Sequence, residues 1–296
     1  MSRIKESLGS RIFDVCNVCF FVLIGFVMIF PFWNVLTTSI VGIGEFYARP
    51  FILWPKDPTL IAYKFIFSSD KMTRTFAVTT FVTVVGTIYN VIVTSCMSYS
   101  LSKKYLPGRN IFLIILTITM FFSGGLIPYY LLIKSLGLMN TIWVLIIPTG
   151  VSVWDFVVMK SFFSQLPVSL EESAKLDGAN DIVILFKIIF PLSLPLLATF
   201  ALFNAVGIWN AWFDAMIFIQ DRKLHPLQLV LRQMLVDNNL PAEMQTKFIQ
   251  QDKDTPLFDE GLKMATVVVA TIPILCIYPW LQKYFEKGVM VGSVKG

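Results

Sequence analysis

Six apolar runs in this chain are each long enough to cross a lipid bilayer as a helix. They cover approximately residues 12–36, 75–101, 111–133, 142–162, 192–213 and 264–284. A helix rises about 1.5 Å per residue, so about 20 apolar residues cross a hydrocarbon core of about 30 Å. Charges in the intervening segments would each cost about 2.5–3.5 kcal/mol at a helix centre, so these segments form loops. The pattern predicts an all-α membrane protein with six transmembrane helices.

The composition agrees with a chain surrounded by membrane lipid. Of the 296 residues, 56% are hydrophobic and only 15% are charged, with a mean hydropathy of +0.71. The net charge of +5 is spread along the chain without a basic face, so no nucleic acid partner is expected. Since neither an internal repeat nor a low-complexity linker divides residues 1–296, we predict a single transmembrane domain.

The short loops predict the orientation. Lys103, Lys104 and Arg109 crowd the connection between the second and third runs, whereas the next connection carries only Lys134 near its start. Because cytoplasmic loops are enriched in Lys and Arg, the first connection is cytoplasmic and the second external. An even number of spans then places both termini and the loop 163–191 in the cytoplasm. Residues 40–74 and 214–263 become long external loops.

The first run resembles a signal sequence because Arg3, Lys5 and Arg11 precede it. It is too long for one and no A-x-A site follows, so we interpret it as an uncleaved first helix. It contains a C-x-x-C pair, Cys16 and Cys19, which in other settings indicates redox or metal chemistry. Without further Cys or His nearby, the pair is interpreted as small packing residues, and no metal site is expected.

Two of the runs contain residues that disturb a helix. Gly124 and Gly125, followed by Pro128, weaken the outer half of the third run, and Pro273 and Pro279 are predicted to interrupt the sixth. Such breaks persist in a membrane only where protein or a water-filled cavity satisfies the freed backbone groups. Ordinary kinks in a packed bundle and a lined pathway are both compatible with this pattern.

Sequence motifs of catalysis are missing. The chain has no G-x-x-x-x-G-K-[ST] loop for ATP, no H-E-x-x-H, no G-x-S-x-G and no clustered metal ligands. Its one histidine, His225, lies in an external Lys-Leu-His-Pro-Leu stretch and is predicted to be a solvated loop residue rather than a base or ligand. We therefore expect a non-enzyme without catalytic residues or a cofactor of its own.

Polar residues within the spans are candidates for a substrate path, because they are costly in lipid. The candidates are Asn90, Asp155, Trp209, Asn210 and Trp212. Asp155, about two helical turns from the cytoplasmic end of the fourth run, is expected to face the bundle or an aqueous path, or to snorkel. The other end of the bundle carries Trp209, Asn210 and Trp212, where an aromatic belt and a sugar-contacting site would have the same composition.

A polar helix-turn-helix pattern occupies residues 172–191. Asp177-Gly178 ends its first helix, because Gly adopts positive φ at low cost. Asp177 or Asn180 is expected to cap the second helix. The exposed acidic residues lie beside a predicted small apolar face made of Ala174, Leu176, Ala179 and Ile182. This surface suits a helix in a partner's groove, although a solvated hairpin joining two spans would have a similar composition.

The same segment resembles the E-A-A-x-x-D-G-A, then I-x-L-P, motif of the membrane subunits of binding-protein-dependent ABC importers. Ser173 and Phe190 depart mildly from that motif. The matching positions are Glu172, Ala174, Asp177, Gly178, Ala179, Ile188 and Pro191. The similarity extends over the whole chain and is greatest to the maltose-type second permeases. Residues 122–141 and 283–296 resemble the subgroup associated with oligosaccharide and aldouronate uptake.

The resemblance implies a type I ABC importer permease fold in a bacterial plasma membrane. In such importers the matching loop is a coupling helix that inserts into a separate ATPase subunit, which binds the ATP and Mg. The coupling residues would be Glu172, Ala174, Asp177, Gly178, Ala179 and Pro191. Expected partners are a second permease forming a heterodimer, two ATPase subunits and an external solute-binding protein that delivers an oligosaccharide.

Two alternatives follow from the residues alone. A self-contained channel or ion-coupled secondary transporter would use Asp155 and Asn90 as its ion or proton path. A membrane scaffold would transport nothing.

Overall fold

The computed structural model describes residues 8–49, 51–236 and 258–293, which are helical and without strands in that part of the chain. The helices are α1 Leu8–Ile40, α2 Ile43–Ala48, α3 Ile61–Ser68, α4 Asp70–Ser102, α5 Arg109–Phe121, α6 Leu126–Ser135, α7 Val153–Phe163, α8 Val168–Leu176, α9 Asp181–Ile184, α10 Phe190–Leu192, α11 Leu194–Trp209, α12 Phe213–Phe218, α13 Leu227–Leu235 and α14 Asp259–Ser293. Short 3₁₀ turns cover Ile142–Leu145, Ile147–Gly150 and Arg222–Leu224, and a π-helical turn covers Leu185–Ile189. The chain forms two compact units, residues 1–70 with 240–271 and residues 71–239 with 272–296.

The first unit packs around the C-terminal end of α1. Trp33 Nε1 donates a hydrogen bond to the carbonyl oxygen of Leu53 at 2.7 Å, and Ser39 Oγ lies 2.7 Å from Tyr63 OH. A small core forms where Val41, Ile52 and Phe258 meet. Most of α1 before this end, including Cys16 and Cys19, is exposed, and the most apolar 18-residue stretch of the helix has no buried residue. That apolar surface requires lipid or another chain to cover it.

The second unit is built along one polar face of α4. Buried small polar side chains recur on this helix at intervals of four or seven residues, which places them on one face. They are Thr75, Thr79, Thr83, Asn90, Thr94, Ser98 and Ser102. Because such side chains are short, neighbouring backbone approaches α4 closely, and Ser98 Oγ donates to the carbonyl oxygen of Phe156 at 3.3 Å.

All six predicted apolar runs fall on helices, but only three helices have the length and composition to cross a membrane by themselves. These are Gly9–Ile40, Asp70–Ser102 and Asp259–Ile277. Two further candidates are bent pairs, Ile142–Gly150 with Val153–Phe163 at 41° and Asp181–Leu192 with Leu194–Trp209 at 84°. The run 111–133 is divided between α5 and α6. The number of crossings, their bounds and the single-domain interpretation therefore stay predictions.

The helix-disturbing residues act differently from one another. The prediction that Pro273 and Pro279 interrupt the sixth run is wrong, because α14 continues through both. Proline removes one backbone donor, and a membrane helix tolerates that loss when its surroundings satisfy the freed carbonyl. The predicted weak point at Gly124 and Gly125 is a true break, since Gly125 has φ +83° and separates α5 from α6.

Candidate functional site

The polar segment after α7 folds as predicted into two helices joined by a tight turn. Gly178 has φ +82°, a conformation in which a side chain is strained. Its N–H donates to the carbonyl oxygen of Lys175 at 3.0 Å, and the N–H of Ala179 donates to that of Ala174 at 2.9 Å. These two bonds make a Schellman motif, which satisfies carbonyl groups at the end of α8.

The second helix of the segment begins at a side-chain cap. Asn180 Oδ1 accepts a hydrogen bond from the N–H of Val183 at 2.9 Å, so Asn180 rather than Asp177 is the cap. Lys175 Nζ and Asp181 Oδ1 form an exposed ion pair of 2.9 Å across the turn. The Gly178 turn therefore has both of its flanking helix ends satisfied. We name residues 168–184 the coupling turn.

The coupling turn presents two different faces. Ala174 is 8% exposed and packs with Met159, Phe163 and Ile184 in a hydrophobic core, whereas Leu176 is 90% exposed. The prediction of a single apolar face was wrong, because residues two apart on a helix point in nearly opposite directions. The motif alanines, Ala174 and Ala179, seat the turn on the bundle. The exposed side chains of the turn include Glu172, Leu176, Asp177 and Ile182.

The coupling turn is also tied to the end of α4. Lys103 Nζ forms an ion pair with Glu171 Oε1, and the two side chains are 14% and 12% exposed. The Lys103 ammonium also lies 4.1 Å from the ring centroid of Tyr99. The Lys-rich connection after α4 and the coupling turn therefore occupy the same end of the unit.

Asn90 lies beside the break between the 3₁₀ turn Ile147–Gly150 and α7. Its Nδ2 donates to the carbonyl oxygen of Thr149 at 2.5 Å, and Thr94 Oγ1 donates to that of Gly150 at 3.3 Å. Asn90 is 1% exposed, and its Oδ1 has no hydrogen bond among the described residues. The break is stable in a membrane because α4 supplies donors to the freed carbonyl groups.

Asp155 faces the bundle at the start of α7. The residue is buried, its N–H donates to Ser152 Oγ at 3.3 Å, and its Oδ2 accepts from Asn204 Nδ2 at 2.9 Å. Asp155 was predicted either to face the bundle or an aqueous path, or to snorkel. In the structure its side chain lies in the bundle interior. Asn204 was missed by the sequence analysis, although a polar residue within the apolar run 192–213 is itself a signal.

The aromatic residues after α11 have separate environments. Trp209 is buried, and its ring packs edge-on against Phe76 with centroids 5.7 Å apart. This packing role is different from an exposed sugar platform. Trp212 instead lies beside α13, with the Arg232 guanidinium carbon 4.5 Å from the centroid of its ring.

Asn210 also reaches toward α13. Its side chain is exposed, its Nδ2 donates to the carbonyl oxygen of Val206 at 2.9 Å, and its Oδ1 accepts from Gln228 Nε2 at 3.1 Å. Sequence analysis missed Gln228 and Arg232, because only the fold brings α13 back to the end of α11. We name Asn210, Trp212, Gln228 and Arg232 the outer cluster.

His225 precedes α13, and the prediction that it is solvated was wrong. The residue is buried, since the segment before α13 folds onto α4, where Thr79 Oγ1 accepts from the N–H of Leu227 at 2.7 Å. Burial lowers the pKa of His225 below its ordinary value of 6.5, and the positive charges of Lys71 and Arg222 act in the same direction.

The coupling turn and the outer cluster belong to opposite ends of α4. Thr79 contacts α13, and Lys103 contacts the coupling turn. A helical rise of 1.5 Å per residue separates these two positions by about 36 Å, which is close to the thickness of a bilayer. The helix-turn-helix with the exposed Leu176 therefore lies at one end of α4, and the polar and aromatic side chains of the outer cluster lie at the other.

Comparison with known proteins identifies the class more narrowly. The chain belongs to the family described as binding-protein-dependent transport system inner membrane component, whose model matches residues 1–291. Protein LplC of Bacillus subtilis is 45% identical, over 97% of this chain and 96% of LplC. The polygalacturonan/rhamnogalacturonan transport system permease protein YtcP of the same organism is 41% identical, over 98% of this chain and 100% of YtcP.

A solved structure agrees with these relatives. One chain of a bacterial ABC transporter involved in the import of the acidic polysaccharide alginate matches with a TM-score of 0.89 and 30% identity. The match covers 96% of this chain and 100% of that one. The predicted type I ABC importer permease fold is thereby confirmed. The protein is a permease subunit of a binding-protein-dependent importer. The family match therefore favours the importer interpretation over a channel, an ion-coupled carrier or a scaffold.

Proposed function

We propose that the chain pairs with a second permease to form the path by which an ATP-driven importer moves an oligosaccharide. An external solute-binding protein delivers the cargo to residues 40–74 and 214–263, and both termini lie in the cytoplasm. Relatives support the cargo class, since YtcP is named for polygalacturonan and rhamnogalacturonan and the structural match comes from an alginate importer. The exposed apolar surface of α1 supports contact with lipid or the second permease.

The observation that carries this proposal is the two-faced coupling turn. Its alanines are fixed in the bundle, while Leu176 and the carboxylates of Glu172 and Asp177 face outward from a rigid Schellman turn. A short helix with an exposed apolar side chain and flanking charges suits a groove on a partner protein. The partner is a separate ATPase subunit, which binds ATP and Mg and performs the hydrolysis. This chain supplies no catalytic residue or cofactor.

The coupling turn passes motion to the membrane through α4. Closure of the ATPase pair displaces α8, and the Lys103–Glu171 ion pair connects that displacement to α4. The α4 helix bonds the break before α7 through Asn90 and Thr94. A shift of α4 therefore moves the broken span and opens the permease pair outward; ATP hydrolysis then resets it inward. In this proposal Asp155 and Asn204 line the wall of the path, whereas Asn90 holds its geometry.

Reconstitution tests the proposal. The chain is purified together with its second permease, ATPase and binding protein, and uptake of labelled oligosaccharides into proteoliposomes is measured. We expect uptake that requires ATP and stops when any one component is omitted. Uptake by the purified chain alone, or uptake that follows an ion gradient without ATP, would overturn the proposal.

Docking at the coupling turn has a separate test. A Leu176→Cys variant is expected to crosslink to the ATPase subunit with a short bifunctional thiol reagent, because the side chain at this position points away from the bundle. Ala174→Cys is the matched control, since residue 174 is seated in the core and two residues away. Equal crosslinking of both variants, or of neither, would contradict docking through this face.

A further inference from the structure

We infer that the middle of the polar face of α4, beside the break before α7, is a binding site for buried water. We name Thr83, Thr87 and Asn90 the hydration stripe. Water bound there joins these side chains to one another and to the broken span. The site itself stands apart from the proposed function, and only its role in movement rests on that function.

The hydration stripe contains oxygen atoms that are buried without a partner. Asn90 is 1% exposed and Thr83 is 8% exposed. Thr83 Oγ1, Thr87 Oγ1 and Asn90 Oδ1 are buried and have no hydrogen bond among the residues that the structure describes. Unpaired polar atoms are costly in an apolar interior, so buried hydroxyl and amide groups are nearly always paired, either with protein or with ordered water.

A neighbouring threonine shows the usual way in which a helix satisfies such a hydroxyl. Thr80 Oγ1 donates to the carbonyl oxygen of Phe76 at 2.9 Å, one turn back along α4. Thr83 and Thr87 make no bond of this kind. Their hydroxyl groups are therefore left to a partner outside the backbone of their own helix.

The spacing of the hydration stripe suits bridging water. Its members are four and three residues apart, which places them on one face of α4. Side chains at such positions have Cβ atoms about 5–6 Å apart. Two oxygen atoms that share one water lie about 5.6 Å apart, because each hydrogen bond is about 2.8 Å long. One water molecule can therefore bridge neighbouring members of the stripe.

Two other elements approach α4 at the level of the hydration stripe. Asn90 Nδ2 donates to the carbonyl oxygen of Thr149 at 2.5 Å. A Cβ added to Gly86 would lie 4.0 Å from Thr149 Oγ1 and 3.0 Å from Ile208 Cδ1. The 3₁₀ turn Ile147–Gly150 and α11 thus both pack against this part of α4. Water held among three elements is shielded from bulk solvent and becomes part of the structure.

The chemistry of the hydration stripe favours water over a cation. Its three oxygen atoms are neutral, so a cation among them would bring a charge without a carboxylate into an apolar interior. Asn90 Oδ1 can only accept a hydrogen bond, whereas a threonine hydroxyl can donate or accept. Water can donate to Asn90 Oδ1 and complete its other bonds with either hydroxyl.

Bound water gives the break before α7 a way to move. In the proposed mechanism, a shift of α4 displaces this break. A direct hydrogen bond is lost when its two groups separate, whereas a bridging water can turn and keep both groups paired. The hydration stripe therefore lets the contact between α4 and the break change without leaving unpaired polar groups in a low-dielectric interior.

The direct test is a structure of the complete importer at a resolution that shows ordered water. We expect density for water between the hydration stripe and the 3₁₀ turn, and its loss in the double variant Thr83→Val, Thr87→Val. Thr80→Val is the matched control, because Thr80 is exposed on the same helix and bonded to its own backbone. The control should leave the density unchanged. A dry stripe would overturn the inference. Density that disappears when sodium and potassium are replaced by choline would also overturn it, because the ligand would then be a cation.

Thermal unfolding gives a second test, in which the two possibilities have opposite signs. If the stripe is dry, the double variant removes two unpaired hydroxyl groups from the interior and raises the thermal midpoint relative to Thr80→Val. If the stripe binds water, the double variant removes hydrogen bonds to that water and lowers the midpoint by a few degrees. A raised or unchanged midpoint would contradict the inference.

These tests are separate from the test of the proposed function. Loss of the water density or a raised midpoint would leave ATP-dependent uptake by the unmodified importer as it is. Absence of that uptake, with the water density present, would overturn the proposed function and leave the site intact. Water density together with uptake that is unchanged in the double variant would overturn the role of the site in movement.

Discussion

Replacement of Gly178 by valine is expected to uncouple ATP hydrolysis from transport. Gly178 has φ +82°, and an added Cβ would meet no atom within 4 Å. The cost of the substitution therefore comes from the backbone conformation at residue 178 and not from clashes with neighbouring atoms. The left-handed region is less favourable by about 1–2 kcal/mol for a residue with a Cβ, and by more for a β-branched residue. A penalty of about 1–2 kcal/mol changes the ratio of formed to unformed Gly178 turn by about 5- to 30-fold.

Loss of the turn removes both hydrogen bonds of the Schellman motif, because each depends on the backbone direction at Gly178. The end of α8 then frays, and Leu176 and Asp177 lose the fixed outward orientation that the proposed docking to an ATPase requires. In proteoliposomes we expect Gly178→Val to reduce oligosaccharide transported per ATP hydrolysed about tenfold, corresponding to about 1.4 kcal/mol. Gly178→Asn is expected to recover most of the coupling, since Asn tolerates positive φ better than other residues with a side chain.

Gly137 supplies the matched control. It has φ +69° at the end of α6 and also has no atom within 4 Å of an added Cβ. Gly137→Val thus imposes similar backbone strain away from the coupling turn and is expected to leave the transport-to-ATP ratio unchanged. Normal transport and normal ATPase stimulation in Gly178→Val, or equal uncoupling by Gly137→Val, would refute the reasoning.

Three other substitutions address the rest of the unit. Asn90→Leu removes the donor to the carbonyl oxygen of Thr149 and is expected to cost about 1–2 kcal/mol, seen as a lower thermal midpoint in detergent; an unchanged midpoint would contradict it. Glu171→Gln is expected to weaken ATP-driven uptake, because it removes the ion pair with Lys103. The double variant Lys103→Glu with Glu171→Lys, which restores the pair in the opposite sense, should transport more than either single charge reversal; the absence of such rescue would exclude a direct ion-pair role. His225 has a lowered pKa, so its contribution to stability is complete above pH 6.5 and decreases as the pH falls from 6.5 toward the folded-state pKa. His225→Gln should therefore show a smaller loss of thermal midpoint between about pH 7.5 and about pH 5, and an equal loss would refute this assignment.

Features encoded over a few residues were predictable from the sequence. The six apolar runs locate helices because burial of backbone polar groups in lipid leaves few other structures. The Gly178 turn was predictable, and Asn180 was one of two predicted caps, because positive φ and side-chain capping are local requirements. The break at Gly125 belongs to the same category, since its φ of +83° favours glycine.

Features that depend on packing between distant segments were not predictable. Asp155 was identified, but its partner Asn204 is 49 residues away, and Trp212 was identified without Arg232. Neither pairing has a periodicity or motif that a single sequence reveals. The error at Pro273 has the opposite origin, because a strong local preference was overcome by the context of the helix.

In the proposed mechanism, the α4 helix connects the coupling turn to the opposite end of the unit without a special relay. Its polar face contacts α13 through Thr79 and the broken span through Asn90 and Thr94. Lys103, directly after α4, forms the ion pair with the coupling turn. Over about 36 Å, a helix with intact hydrogen bonds moves largely as a rigid body. We therefore expect a displacement of α8 to reach both the break before α7 and the α13 end of α4 in one motion. Weakening either the Thr79 contact with α13 or the Lys103–Glu171 ion pair should reduce coupling even when the contacts of Asn90 and Thr94 remain intact.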